Sequence, residues 1–354
     1  MAVPWPGRPP PPGRPGQLGR SGQMGQPWPG QQPGQAVTVR VPATSANLGP
    51  GFDSLGLALT WHDVVRARVT GGGLSVEVRG VGQADVPRDE RHLVVRAMRA
   101  AFAVVGEQPP GLALECENSV PHGFGLGSSA AAIVAGLLAA RALSGELGAE
   151  RLPDQAVLNL AAEIEGHADN VAACLSGGLT IAWTAEPPGT AGPPGTAGSA
   201  GPVRCARLDP LPGLKAVLCV PAVPLATEAA RAVLPEVVPH ADAAANAARA
   251  ALLVGALTQA SRSLAESALL DATEDFLHQR YRAGAMPGTT KLLAALRGAR
   301  IPAVVSGAGP AVLALIVPGV TAGPEAVAAI AADSGRAWTV RALDIDRDGA
   351  ITTW

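Results

Sequence analysis

An α+β architecture in two folded domains is what the 354-residue sequence predicts, on three observations. Apolar runs that read as strands come in groups with helical runs between them, the pattern of sheets carrying helices on one face. The length suits roughly two domains at about 150 residues each. Two tracts rich in Pro and Gly bracket the first folded stretch and are too poor in apolar residues to fold.

Taken in order, residues 1–35 are almost wholly Pro, Gly, Gln, Arg and Ser and are expected to be a disordered tail. Alternating residues then predict a strand over Ala36–Val41 and two more over Val64–Val69 and Leu74–Val78. A helix is expected over His92–Val105, a strand over Leu112–Cys116, and helices over Ser128–Leu143 and Gln155–Glu165. A tandem repeat, PPGTAG, marks residues 187–202 as a flexible insertion between domain 36–186 and domain 203–354. Glycine recurs there, as in the tail, at every third residue, but neither tract is long enough for a triple helix. Beyond it, Lys215–Val220 reads as a buried strand, Asn246–Ala265 as a long helix and Lys291–Arg297 as a short one. Ala303–Val305, the turn SGAGP and Ala311–Val317 read as strand, turn and strand.

Composition removes several classes of function. Lys plus Arg is 27 against 29 for Asp plus Glu, so no positive field gathers nucleic acid. The apolar stretch Ala303–Val320 is interrupted by Ser306, Gly307, Gly309, Pro310 and Pro318, which argues against a membrane span. Four widely spaced cysteines form no C-x-x-C pair, and no secretory signal is legible, so a cytoplasmic chain is expected. Asp344–Ile351 copies the first eight positions of an EF-hand loop, but the bidentate acid of position twelve is missing; a terminal strand and turn is the expectation. The six histidines form no H-E-x-x-H pair.

Three glycine-bearing segments remain. Pro121-His-Gly-Phe-Gly-Leu-Gly-Ser-Ser-Ala-Ala131 sets glycines before a Ser pair and a helix start, where free N–H groups and the positive end of the helix dipole suit a phosphate. The same residues suit a capped loop with no ligand. Gly125, Gly127 and Ala130, with Glu146 further on, also satisfy a relaxed dinucleotide pattern, although residues 118–122 separate these glycines from the preceding strand. The second segment, Val41-Pro-Ala-Thr-Ser-Ala-Asn-Leu-Gly-Pro-Gly-Phe-Asp53, and the third, Val305-Ser-Gly-Ala-Gly-Pro310, each read alone as a turn.

In this order the three segments resemble the three motifs of the GHMP kinases. GFDSLGLAL, Glu165-Gly-His-Ala-Asp-Asn170 and Thr227-Glu-Ala-Ala-Arg-Ala-Val-Leu-Pro235 resemble, within that family, the homoserine kinases. The resemblance spans residues 36–354 outside the insertion. It implies a two-domain α+β GHMP kinase fold: an N-terminal domain like ribosomal protein S5 domain 2 and a ferredoxin-like C-terminal domain, with the active site between them. It also implies phosphorylation of the L-homoserine hydroxyl by ATP, in threonine biosynthesis.

Carried over residue by residue, the resemblance assigns ATP to Pro121, His122, Gly123, Phe124, Gly125, Leu126, Gly127, Ser128, Ser129, Ala130 and Ala131. It assigns Mg²⁺ to Ser129 and Glu165, and support of the phosphate loop to Ser306, Gly307 and Gly309. Substrate falls to Asn47, Asp53, His167, Asp169, Arg231 and Arg282, and catalysis to Asp169 and Asn170. Both arginines suit forked contact with a carboxylate, and Asp53 and Asp169 oppose the ammonium. Arg280 competes with Arg282 for its role, and Glu163 with Glu165. A mevalonate-type kinase and a catalytically silent nucleotide-binding protein are the alternatives, and a homodimer is an open option.

Overall fold

The computed structural model describes residues 35–185, 201–258 and 262–354. Most of the expected tail and all but residues 201–202 of the expected insertion lie outside the described residues.

In chain order the first elements are β1 (Val37–Ala46), β2 (Leu55–Thr70), β3 (Gly73–Gly80), α1 (Leu93–Val105), β4 (Gly111–Asn118), α2 (Ser128–Leu143), α3 (Gly145–Arg151), α4 (Asp154–Glu165), α5 (Asp169–Ser176), β5 (Leu179–Thr184) and β6 (Val203–Leu208). There follow β7 (Lys215–Pro221), α6 (Thr227–Ala232), α7 (His240–Leu257), α8 (Arg262–Ala272), α9 (Gln279–Arg282), α10 (Pro287–Gly298), β8 (Ala303–Val305), β9 (Val312–Ile316), α11 (Pro324–Asp333), β10 (Trp338–Asp344) and β11 (Ile351–Thr353).

Two sheets organise these elements. The first runs β11-β1-β2-β4-β3, with β5 and β6 added beside the start of β2. Along the second half of β2, Val65 and Ala67 are buried while Arg66 and Arg68 face outward, so period-two patterning selects a strand with one wet face. Residues 55–59 are buried without alternation: Leu55, Leu57 and Leu59 join the core beneath the second sheet, while Gly56 lies against α5. Helix α1 buries Val94, Val95, Met98, Ala101, Phe102 and Val105 on one stripe and ends at Gly106 in the left-handed conformation. Helix α2 is buried nearly all round and carries no charge before Arg141, which suits a helix at the centre of the first core.

The second sheet, β10-β7-β9-β8, is wholly antiparallel. Its strand, helices, strand, strand, helix, strand connectivity is the ferredoxin-like pattern expected. On one face Val217 and Cys219 pack with Leu292, Leu296, Val327 and Ala331 of α10 and α11. On the other, Ala216, Leu218 and Val220 share a core with Leu253, Leu257 and Leu269 of α7 and α8, and with Leu48 and Leu57 from the first half. That shared core, with each buried leucine contributing about 2 kcal/mol, holds the two halves together.

Several expectations are corrected. The helix expected over Asn246–Ala265 starts six residues earlier, at His240, and stops at Leu257. Thr258 turns extended, pairs with Pro210 and donates its hydroxyl to the Val254 carbonyl. The apolar spacing runs on regardless, because Leu253, Leu257, Ala265 and Leu269 all face the same core. β6 and β11, both beyond residue 202, pair with β5 and β1, so the first sheet takes strands from beyond the expected boundary. Helices α3, α5, α6, α9 and α11 are absent from the expectations above; each has ten residues or fewer, too short for apolar periodicity to mark it in the sequence. The EF-hand look-alike is a turn between β10 and β11: Asp346 accepts from the N–H groups of Asp348 and Gly349, and its other oxygen meets His62 at 2.6 Å.

Candidate active site

A cleft of about 380 Å³ opens between the halves, lined by residues from all three glycine-bearing segments and from α4, α5, α6 and α9. Its floor is the start of α2. Gly123, Gly125 and Gly127 have φ of 79°, 73° and 67°, and Gly127 caps the helix in the left-handed conformation. The close quarters explain why side chains are excluded here: a Cβ on Gly125 would stand 2.1 Å from the Ser306 carbonyl oxygen. Ser306 donates its hydroxyl to the Gly125 carbonyl at 2.7 Å, and Thr44 N–H donates to the Leu126 carbonyl at 3.0 Å. Neighbours on both sides thus hold the loop in shape, leaving the first N–H groups of a 16-residue helix and the Ser128 and Ser129 side chains at the cleft. This arrangement suits an oxyanion.

Asn47 sits at φ 65°, where a short amide side chain is tolerated. Its Nδ2 donates to the Gly307 carbonyl at 2.8 Å and its Oδ1 accepts from Asp53 N–H at 2.9 Å, so this residue closes its own turn and ties it to the third segment. Asp53 receives a forked ion pair from Arg231 at 2.6 and 3.1 Å.

Glu165 ends α4, which Gly166 terminates in the left-handed conformation. It accepts the Ser129 hydroxyl at 2.5 Å. Burial pushes the Glu165 pKa up, against the Ser129 hydrogen bond and the nearby His167. His167 Nδ1 lies 2.7 Å from Asp169 Oδ1, and its Nε2 lies 3.9 Å from Glu165. Burial alone would lower the His167 pKa, but the Asp169 hydrogen bond and charge outweigh it and raise the value. Asp169 starts α5, nearly fully buried, and its Oδ1 also accepts Asn170 N–H at 2.8 Å. Asn170 Oδ1 accepts the Thr44 hydroxyl at 2.8 Å.

Most residues singled out from the sequence meet here. Asn47, His167, Asp169, Asn170, Arg231, Arg282, Ser129 and Glu165 line one cleft. Arg282 is buried at its edge, whereas Arg280 is exposed, pairs with Asp242 and is not in the lining. Glu163 and Asp53 line a second pocket that shares His167 with the cleft; of the two glutamates only Glu165 is in the cleft lining, and Asp53 is tied to the cleft through its pair with Arg231. Pro121, Phe124 and Ala130 line neither the cleft nor its neighbour: Phe124 packs toward the second core and Ala130 lies inside the first. His122 and Ala131 line a mainly apolar pocket beside Ser128 and Ser129, together with Val41, Val65, Leu93 and Val94. Ser306 braces the loop, and Gly307 and Gly309 lie close to it. Glu146 is exposed on α3, away from the cleft, which leaves the dinucleotide pattern without its acid.

Three cleft neighbours went unread in the sequence. Thr44 holds Asn170, and the Phe52 ring lies 5.7 Å from the Arg231 guanidinium and 5.6 Å from that of Arg282. Glu228 brings a further acid to the lining. Each sits inside a segment already quoted, but none carries a signal separating it from its neighbours until the chain folds.

No helix among the described residues is long and apolar enough to cross a membrane. The description "GHMP kinases N terminal domain" matches residues 92–178. The chain is 51% identical to a homoserine kinase of Streptomyces coelicolor, over 89% of this chain and 94% of that protein. It is 50% identical to one of Streptomyces avermitilis, over 89% and 95%. Among solved structures, a homoserine kinase from Cytophaga hutchinsonii superposes with a TM-score of 0.73 at 25% identity, over 91% of this chain and 99% of that one. With half its residues shared over nearly the whole length of such relatives, this chain belongs to the homoserine kinases, within the GHMP kinase family.

Proposed function

We infer that the chain transfers the γ-phosphoryl group of ATP to the side-chain hydroxyl of L-homoserine, giving O-phospho-L-homoserine and ADP. The observation that carries this reading is the meeting of two kinds of chemistry in one cleft. A glycine-rich helix start lies beside a Ser–Glu oxygen pair, and across from it stand two arginines and buried acids, the opposite charges a zwitterionic amino acid needs. A mevalonate-type substrate calls only for the cations.

In this reading the N–H groups of Gly123–Ser129 cradle the phosphates, and the apolar pocket bounded by Val41, Val65, Leu93 and Val94 takes the base. Ser129 Oγ and Glu165 Oε1 are hard oxygen donors 2.5 Å apart, a pair that fits Mg²⁺ completed by waters and phosphate oxygens. Such an ion would neutralise charge on the β- and γ-phosphates. Arg231 and Arg282 take the α-carboxylate, and Asp53 and Asp169 face the ammonium. Asn47 and Asn170 complete the polar wall that orients the hydroxyl.

The hydroxyl attacks in line, and positioning supplies most of the rate. No lysine lines the cleft, and in this reading the carboxylate of Asp169 is committed to His167, Asn170 N–H and the substrate ammonium, with the hydroxyl proton passing to the phosphoryl group itself. A cytoplasmic setting belongs to the same reading: all four cysteines are free thiols, three of them buried.

Coupled ADP release with Mg²⁺-ATP against homoserine, serine, threonine and mevalonate tests the assignment. Selective turnover of homoserine is expected. Turnover of mevalonate alone would overturn the substrate, and ATP binding without any turnover would overturn the activity.

A further inference from the structure

A buried polar cluster just before α9 has no part in the reading above. His278 and Asp275 are both fully buried. The partners of the His278 ring leave one choice of tautomer. Nε2 lies 2.8 Å from the Gly49 carbonyl oxygen, which can only accept, so Nε2 carries the hydrogen. Nδ1 lies 2.9 Å from Nη1 of Arg282, which can only donate, so Nδ1 is bare. An imidazolium would set one N–H against another. Burial lowers the His278 pKa, Asp275 opposes this and Arg282 adds to it, and the net direction is down, in keeping with a neutral ring.

The other end of this contact explains its use. Arg282 Nε donates to the Ala230 carbonyl at 3.0 Å, and Nη1 also reaches the Gly307 carbonyl at 3.3 Å. Every one of these acceptors is neutral. Among the described residues no carboxylate lies within ion-pair distance of Arg282, whereas Arg231 holds Asp53. A buried guanidinium without a carboxylate is costly, and burial pushes its pKa down to about 10. The arrangement fixes the orientation of a cation and leaves its charge for an incoming anion.

We propose that neutral His278 is a positioning residue: by accepting from Arg282 it fixes the guanidinium toward the substrate carboxylate, while its donation to Gly49 in the Asn47–Asp53 turn holds the ring in the tautomer that can accept. The proposal rests on Arg282 as a carboxylate ligand. Gly307 strengthens the link, since its carbonyl accepts from both Asn47 and Arg282.

Two variants separate the two ring contacts. His278→Asn keeps an acceptor near the position of Nδ1 and loses the donor to Gly49; His278→Gln does the reverse. Steady-state kinetics should show the homoserine KM of His278→Gln raised about 10-fold with the ATP KM unchanged, and that of His278→Asn within about threefold of wild type. Equal effects of the two substitutions, or a rise in the ATP KM, would overturn the proposal. Arg282→Ala, run beside them, keeps the two levels apart. An unchanged homoserine KM there removes the carboxylate reading and the proposal with it, whereas a raised KM there with a wild-type His278→Gln removes the proposal alone. Nitrogen-15 spectra of the wild-type imidazoles at neutral pH need no buried substitution to fold. A neutral Nε2–H ring at His278 is expected, and an Nδ1–H ring or an imidazolium would overturn the proposal.

Discussion

Arg231 in the cleft lining and Asp53 in the pocket beside it form a forked ion pair, at 2.6 and 3.1 Å, although each belongs to a different half of the zwitterion's expected site. Both side chains are more than a third exposed, so the pair itself adds little to stability. In the function proposed above, its fork pre-orients a cation and an anion, each exchanging one partner for the carboxylate or ammonium of the amino acid. Asp53→Asn should therefore leave the melting temperature nearly unchanged while raising the homoserine KM ~10-fold or more, the size of one charge-assisted hydrogen bond. A KM equal to wild type would remove Asp53 from the site.

Glu165→Gln keeps the shape of the Ser129 contact but loses the negative charge beside it. The expected outcome is a fall in kcat of about 100-fold and a rise in the Mg²⁺ concentration for half-maximal rate, with homoserine KM little changed. A magnesium titration at saturating ATP checks it.

Gly125→Ala would drive a methyl group against the Ser306 carbonyl at a left-handed φ of 73°. The loop must shift, at a cost of about 1–3 kcal/mol in strain, and the ATP KM should rise with it. Thermal melts and ATP kinetics measured together distinguish this outcome from general unfolding.

The His167 pKa is raised in the fold despite burial, because Asp169 accepts from its ring and faces it with charge. Stability from this pair is thus fully present below the ordinary histidine value of 6.5 and is lost as pH rises through the raised value. Asp169→Asn should lower the His167 titration midpoint followed by NMR. The stability gap between the two proteins should be widest in mild acid and narrow as pH rises. A midpoint that stays in place would show that Asp169 does not set it.

The α+β class and the glycine-rich helix start at Gly123–Ser129 lie in the linear order of residues, and the candidacy of Glu165, Asp169, Arg231 and Arg282 comes from the resemblance to the homoserine kinases. Local periodicity reports strands and helices, and spacing reports which loops can approach an anion. What chain order does not contain is which of two equivalent neighbours reaches the cleft. Arg280 and Arg282 stand two apart, and only packing against Ala230 and Gly307 turns one inward while Asp242 holds the other outside. The break between α7 and α8 is likewise tertiary, since a bridge from Thr258 to Pro210 overrides an apolar spacing that continues through it. His278 is the extreme case: a histidine between Leu277 and Gln279 has no distinguishing local pattern. Its tautomer and its use arise only where a carbonyl from residue 49 and a guanidinium from residue 282 close on the same ring.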